Sequence, residues 1–275
     1  MSGEPSSLFT SVWKTLYDED EKQALHNEDV MGILNSVVEQ LIPVSVPDVT
    51  NDEAPECYTG PRLSGAVDQK FITELIDLFT KHAANSSLDD ILHEIYAHKI
   101  ITTVIDILKQ ESAFNDITVP SNGHLTVIGD THGQLLDVLT IFKMRGMPTD
   151  DNIFLFNGDF VDRGPHGVEV LLLLYALKAQ NPKAIYLNRG NHEHRRMNAK
   201  YGFEDQVMDR YNPPMYEHIQ SSFELLPIGA IIGNEILVVH GGLFPHQGVT
   251  LDELRSIDYR GQLPRHSHIT TREQE

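Results

Sequence analysis

The chain has 275 residues, with 21 Lys and Arg against 40 Asp and Glu, a formal net charge of −19. That excess of acid argues against a general nucleic-acid or anionic-membrane surface, so any basic groups directed at phosphate must be local. Hydrophobic residues at 40 % and charged residues at 22 % exclude fully disordered and fibrous classes, and the length is enough to bury a sizeable core.

The acidity is concentrated at the start. Residues 1–60 hold Lys14 and Lys22 against 12 acids, 2 − 12 = −10, about half of the total charge. Val30, Ile33, Leu34, Val37, Val38 and Leu41 recur near helical spacing and predict one amphipathic helix after an acidic stretch. The stretch DEDEKQALHNED lacks the central glycine and alternating oxygen ligands of an EF-hand loop. Residues 1–60 therefore read as an acidic, partly disordered arm that offers a surface to a protein partner. The proline- and acid-rich IPVSVPDVTNDEAPECYTGPR reads as a linker and sets the expected domain boundary near residue 60. A single cysteine, Cys57, cannot form an internal disulfide. With no basic stretch leading into an apolar one at the N-terminus, the expected location is cytoplasmic and/or nuclear.

From Val67 the pattern is regular. FITELIDLFTKHA and LDDILHEIYAHKIITTVIDILKQES carry apolar residues at i, i+3 and i+4 and predict helices. His93-Glu94-Ile95-Tyr96-Ala97-His98 looks like a zinc-binding H-E-x-x-H, but its histidines are five apart. At about 100° per residue they point roughly 140° away from each other, which favours surface or helix–helix roles. After Pro120, short apolar runs ending in glycine and charged residues alternate with helical stretches: HLTVIGD, LLDVLTIFKMRG, IFLFNGD, VEVLLLLYALKAQNP and AIYLNRGNHE. This alternation predicts βαβ units and a buried, mostly parallel sheet. The longest apolar run, Val170 to Leu174, is broken by Tyr175 and Lys178 and falls well short of the roughly 18 residues a membrane span needs. ELLPIGAIIGNEILVVHGG predicts two strands joined at Gly233-Asn234, where both positions tolerate positive φ.

Four of the predicted strands end in related punctuation: Gly129-Asp130-Thr131-His132-Gly133, Gly158-Asp159-Phe160-Val161-Asp162-Arg163-Gly164, Gly190-Asn191-His192-Glu193 and His240-Gly241-Gly242. In open α/β sheets, groups at the carboxyl ends of strands converge on one crevice. Oxygens from Asp130, Asp159 and Asn191 with nitrogens from His132 and His240 are the mixed donor set that a pair of divalent metals demands. Two such ions about 3.5–4 Å apart need a bridging ligand, for which Asp159 is suited, and they make hydroxide available as a nucleophile near neutral pH. Arg163 offers a planar fork for phosphate oxygens. His192, beside Asn191, fits a general acid, with Asp162 to hold its tautomer.

GDTHGQ, GDFVDRG, RGNHE and HGG closely resemble the successive signatures of the phosphoprotein phosphatase family of serine/threonine phosphatases, over a stretch from about residue 68 to the end. MNAKYGFEDQV and HGGLFPHQGVTLDELRSI are most similar to the type 5 and EF-hand-bearing branches, although neither accessory module is legible in the sequence. The resemblance implies an α/β fold: a metallophosphatase-type β-sandwich flanked by helices, with residues 61–275 forming a calcineurin-like catalytic domain. It also implies two divalent ions, manganese first and iron or zinc next. One would be held by Asp130, His132 and Asp159, the other by Asp159, Asn191 and His240. His192 would be the proton donor with Asp162 beside it, and Arg163 and the Asn191 amide would clamp the phosphate. The implied activity is hydrolysis of phosphoserine and phosphothreonine in phosphoprotein substrates, with no nucleic-acid partner and no membrane span.

Three departures accompany the resemblance. The family pattern continues past HGG with R-S-H-E and S-A-P-N-Y blocks and a second phosphate-binding arginine, none of which is present, so the C-terminal part of the fold is expected to be missing. His246, His266 and His268 lie in no matching context. Asn188 stands where the family has an apolar residue, and Gly167 where it often has serine. Two other readings stay open at this point: a catalytically impaired, phosphatase-like binding protein and a small-molecule metallophosphoesterase.

Overall fold

The computed structural model describes residues 53–85 and 91–257, apart from 243, 245 and 246. The expected N-terminal helix, most of the acidic arm and His246, His266 and His268 lie outside the described residues. Eight helices and six strands are described: α1 (Gln69–Asn85), α2 (Glu94–Leu108), β1 (Phe114–Ile117), β2 (His124–Ile128), α3 (Leu135–Arg145), β3 (Asn152–Phe156), α4 (Gly167–Gln180), β4 (Ile185–Leu187), α5 (Arg195–Tyr201), α6 (Phe203–Arg210), α7 (Pro213–Phe223), β5 (Gly229–Ile232), β6 (Ile236–Val239) and α8 (Leu251–Arg255). None of these helices is long and apolar enough to cross a membrane.

The strands form two three-stranded sheets, ordered β2-β3-β4 and β1-β5-β6. The first is all parallel; in the second, β1 runs parallel to β5 and β5 antiparallel to β6. The β5–β6 hairpin turns through the three residues Gly233, Asn234 and Glu235, with Gly233 and Asn234 at φ of 59° and 60° and Glu235 N–H donating to the Ile232 carbonyl at 3.0 Å. Successive side chains of a strand point to opposite faces, and β3 shows what this does to an unbroken apolar run. Ile153 and Leu155 meet Ile117 of β1 and Ala230 of β5 between the sheets, while Phe154 and Phe156 join the helical core on the other side. The result is the expected sandwich flanked by helices.

Helix α4 organises that helical side. Its residues 167–178 are all buried, with α1, α2, α3 and α6 packed around it. A helix apolar on every face has to be enclosed in this way. Tyr175 and Lys178, which interrupt the apolar run in the sequence, are fully buried too. Tyr175 Oη lies 2.8 Å from Ser222 Oγ, and Lys178 Nζ pairs with Glu111 and donates to the carbonyls of Pro182 and Ile185, both at 3.1 Å.

Two expectations change. Residues 54–60, read as the end of a linker, belong to the compact body: Ala54 and Leu63 are buried in the main core, Tyr58 packs on it, and Arg62 donates to the carbonyls of Ala54 and Tyr58 at 2.9 Å. Their proline content fixes an extended path that docks, with the arginine satisfying its carbonyls. Asn188, polar on an otherwise apolar strand end, is completely buried and donates to Asn157 Oδ1 at 2.8 Å, while Asn157 donates to the Val239 carbonyl at 3.0 Å. This amide chain ties the end of one sheet to the last strand of the other, next to the site loops.

Candidate metal centre

The site is built from the loops that leave the carboxyl ends of β2, β3, β4 and β6. Backbone bonds lock the first two loops together: Thr131 and His132 N–H donate to the Asp159 carbonyl at 3.1 and 2.9 Å, and Gly133 N–H to that of Phe160 at 2.8 Å. A buried carboxylate binds the next loop in. Glu193 accepts from the N–H groups of Asp159, Phe160 and Gly190 at 2.7, 2.8 and 2.8 Å. Burial pushes its pKa up to about 7, opposed by those three amides.

The turns are tight enough to force the backbone into the left-handed region at His132, Asp159, Asp162 and Arg163, with φ between 40° and 69°. Non-glycine residues rarely adopt such angles, and they cluster where a surrounding structure over-determines them at functional sites. Gly190 is required beside them, because a Cβ there would collide with the backbone and carboxylate of Asp159.

Asp159 lies at the centre. Its Oδ2 is 3.7 Å from His132 Nε2 and 3.4 Å from His240 Nε2, and its Oδ1 accepts from His192 N–H at 2.8 Å. Both flanking imidazoles are oriented from behind: His132 Nδ1–H donates to the Val161 carbonyl at 2.9 Å and His240 Nδ1–H to the Asn157 carbonyl at 2.7 Å. A carbonyl only accepts, so each ring is protonated on Nδ1 and presents its Nε2 lone pair to the carboxylate, the tautomer a metal ligand needs. Asn191 Oδ1 sits 3.1 Å from His240 Nε2, two acceptors face to face, an arrangement that a shared cation resolves. Asp130, more exposed, is 3.9 Å from His132 and 4.0 Å from His240. The carboxylate, amide and imidazole donors gathered around Asp159 therefore suit divalent metal ions. Two clusters of possible ligand atoms formed here, His132–Asp159–His192 and Asp130–Asp159–His240, share Asp159.

His192 is fully buried beside them. Its Nδ1–H donates to Asp162 Oδ2 at 2.8 Å, and Asp162 also accepts from Asn198 Nδ2 at 3.1 Å and Phe203 N–H at 3.0 Å. On the other side of the ring, Arg163 Nη2 lies 3.3 Å from Nε2, so a basic fork and a nitrogen able to carry a proton face the same space. Tyr201 supports both, its ring 5.0 Å from that of His192 and 5.5 Å from the guanidinium of Arg163.

The structure thus brings Asp130, His132, Asp159, Asp162, Arg163, Asn191, His192 and His240 to one place. His93 and His98 part as their spacing implies: His93 caps α2, and His98 stacks on His218 of α7 at 5.0 Å between ring centres. Sequence reasoning missed Glu193, Asn198 and Tyr201. Glu193 stands inside the quoted R-G-N-H-E string, but two of its three amide partners, Asp159 and Phe160, come from a loop more than thirty residues away. Asn198 and Tyr201 lie in α5, a short helix with too few turns to show periodicity.

Residues 123–274 match the family model described as calcineurin-like phosphoesterase, and residues 22–116 match one described as the PPP5 TPR repeat region. The latter supplies the accessory region that was not legible from helical spacing alone. The chain is 42 % identical to serine/threonine-protein phosphatase T of Aspergillus oryzae over 75 % of its own length and 42 % of the relative's. It is 41 % identical to serine/threonine-protein phosphatase 5 of Homo sapiens over 75 % of its length and 40 % of that relative's. The chain spans about two fifths of the length of these curated relatives. A solved protein serine/threonine phosphatase from Saccharomyces cerevisiae, described as similar to human phosphatase PP5, superposes with a TM-score of 0.68 at 39 % identity, over 73 % of this chain and 62 % of that one. A sandwich with two-metal loops at its strand ends, matched over more than half the chain, places this protein in the calcineurin-like phosphoesterase family, beside the type 5 and type T serine/threonine phosphatases.

Proposed function

We propose that this protein is a metal-dependent phosphatase acting on phosphoserine and phosphothreonine in protein substrates. The observation that carries the reading is the single carboxylate oxygen of Asp159 facing two imidazoles whose lone pairs are aimed at it by backbone carbonyls. The names of the relatives support the substrate class. Asp130, His132 and Asp159 would hold one ion and Asp159, Asn191 and His240 the other. The mixed oxygen and nitrogen donors suit manganese first, with iron or zinc as alternatives. When bound, the ions supply charge neutralisation and a water of lowered pKa.

The chain's own groups supply the rest. Arg163 and the Asn191 amide bind the phosphate oxygens, a planar fork matching their geometry. Asp162, held by three donors, keeps the His192 proton on Nδ1 and stabilises the imidazolium, which leaves Nε2 to protonate the departing serine or threonine oxygen. Residues 1–60, with their acidic surplus and their overlap with the TPR-region match, are proposed to bind a protein partner, and the single cysteine supports a cytoplasmic and/or nuclear location.

The test is hydrolysis of a phosphoserine peptide by the 275-residue chain with manganese added, with His192→Asn as control. Turnover that falls by about 10²- to 10⁴-fold in the variant, the usual worth of a positioned acid, is expected. Metal uptake without turnover would instead indicate a binding protein. Turnover of dinucleoside polyphosphates but not of the phosphopeptide would indicate a small-molecule enzyme.

A further inference from the structure

A third cluster of possible metal-binding groups lies apart from the centre described above and shares no residue with it: His82, His166 and Glu169. His82 is near the end of α1, Glu169 is in the first turn of α4, and His166 immediately precedes α4. We propose that these three side chains bind a zinc-class divalent cation and thereby clamp α1 to the start of α4.

The distances select a cation over a direct ion pair. His82 Nε2 is 3.4 Å from Glu169 Oε1, and His166 Nδ1 is 3.9 Å from Glu169 Oε2, too long for good hydrogen bonds. Ligands about 2.0–2.2 Å from a tetrahedral zinc are separated from one another by about 3.3–3.6 Å, so the three groups, whose ligand atoms all lie within 4.8 Å of one another, need only a small side-chain movement to share an ion. His82 and Glu169 are almost wholly buried. Glu169 Oε2 and His166 Nδ1 are moreover buried polar atoms with no hydrogen-bond partner among the described residues. Leaving such atoms unsatisfied is costly, and one ion between them would satisfy both.

Arg210 is the competing cation. It donates to Glu169 Oε1 at 2.8 Å and approaches His82 Nε2 at 3.5 Å, but the carbonyls of Gln206 and Pro165, both at 3.2 Å, also hold its guanidinium. A bound ion takes over the His82 contact and Glu169 Oε2 while Arg210 keeps Oε1 and the two carbonyls. The ring of His166, 16 % exposed, leaves a route in and room for a water as fourth ligand.

Native mass spectrometry of the full chain titrated with Zn²⁺ tests the site, with His166→Phe and His82→Gln as variants. Phe preserves the ring that packs edge-on against His82, and neither change removes the Glu169–Arg210 pair. Both variants are expected to carry one Zn²⁺ fewer per chain than the unaltered protein, with melting temperatures in EDTA within a few degrees of it. Equal zinc stoichiometry in all three proteins would overturn the proposal. If His82→Gln fails to fold, the His166→Phe comparison alone decides.

Discussion

At the scale of single residues, the candidate site depends on which atom of each side chain is already engaged. His132 and His240 give Nδ1–H to carbonyls and keep Nε2 for an ion, whereas His192 gives Nδ1–H to a carboxylate. Carboxylate backing stabilises a charged ring; carbonyl backing orients a neutral one. That difference supports the proposed division between His192 as proton donor and His132 and His240 as ligands. It also makes a specific prediction for Asp162→Asn. The amide can no longer anchor the imidazolium, so kcat on a phosphopeptide should fall by about 10²-fold or more while KM changes little, because Arg163 is untouched. A variant that raised KM alone would show that Asp162 acts through the phosphate fork instead. That these eight residues come together was legible in the sequence because each lies in a short block beside a strand end. Their backbone strain was not: positive φ at Asp159, Asp162 and Arg163 arises from bonds between loops, and Asp and Arg do not announce it as glycine would.

At the scale of elements, long periodic segments were legible and short ones were not. Helices α1, α3 and α4 fall where apolar spacing predicts them. Helix α2 begins later than the LDDILHEIYAHK text suggests, because the His93 side chain accepts from Ile95 N–H and caps it there. Strand β1 escaped notice because its four residues, FNDI, set two polar groups between two apolar ones and so show no period of two, and its partner β5 is over a hundred residues away. Helices α5 to α8 are 5–11 residues long and are held by tertiary packing more than by propensity.

One helix contact has a consequence for stability. His98 of α2 and His218 of α7 are buried, stacked and joined Nδ1 to Nδ1 at 2.7 Å, a bond that needs one ring nitrogen protonated and the other bare. Burial and the facing ring push His218 from 6.5 down to about 4, and burial lowers His98 as well. A histidine with a lowered folded pKa stabilises the fold fully above its unfolded value, and that stability is lost as pH falls through the window from 6.5 towards 4. Urea denaturation at pH 7 and pH 5 should show a loss on the order of 2 kcal/mol at the lower pH, reduced in His218→Gln. An unchanged midpoint at the two pH values would show that the folded pair takes up protons as readily as the unfolded chain does.

At the scale of the whole molecule, the two sheets and the enclosed helix α4 hold the loops against one another, so that side chains as far apart in sequence as Asp159 and His240 meet at 3.4 Å. The alternation of apolar runs with glycine and acid predicted parallel βαβ units with a site at the strand ends, while the helix-flanked sandwich followed from the family resemblance. What did not follow was how the sheets are joined. Asn188, which looked out of place beside a buried strand, is part of the amide chain that binds them at the site. The acidity that opened the sequence, −19 overall, is compatible with binding a phosphate because Asp130 and Asp159 are placed where divalent ions would offset them.

The central claim is that Asp159 joins two ions, and electron paramagnetic resonance of the manganese-loaded protein tests it most directly. Two Mn²⁺ ions bridged at about 3.5–4 Å should give an exchange-coupled spectrum. This coupling is expected to vanish in Asp159→Asn, where the shared carboxylate is gone, and to survive in part in Asp130→Asn. An unaltered protein showing only the spectrum of isolated Mn²⁺, or an Asp159→Asn variant that remains coupled, would contradict the account.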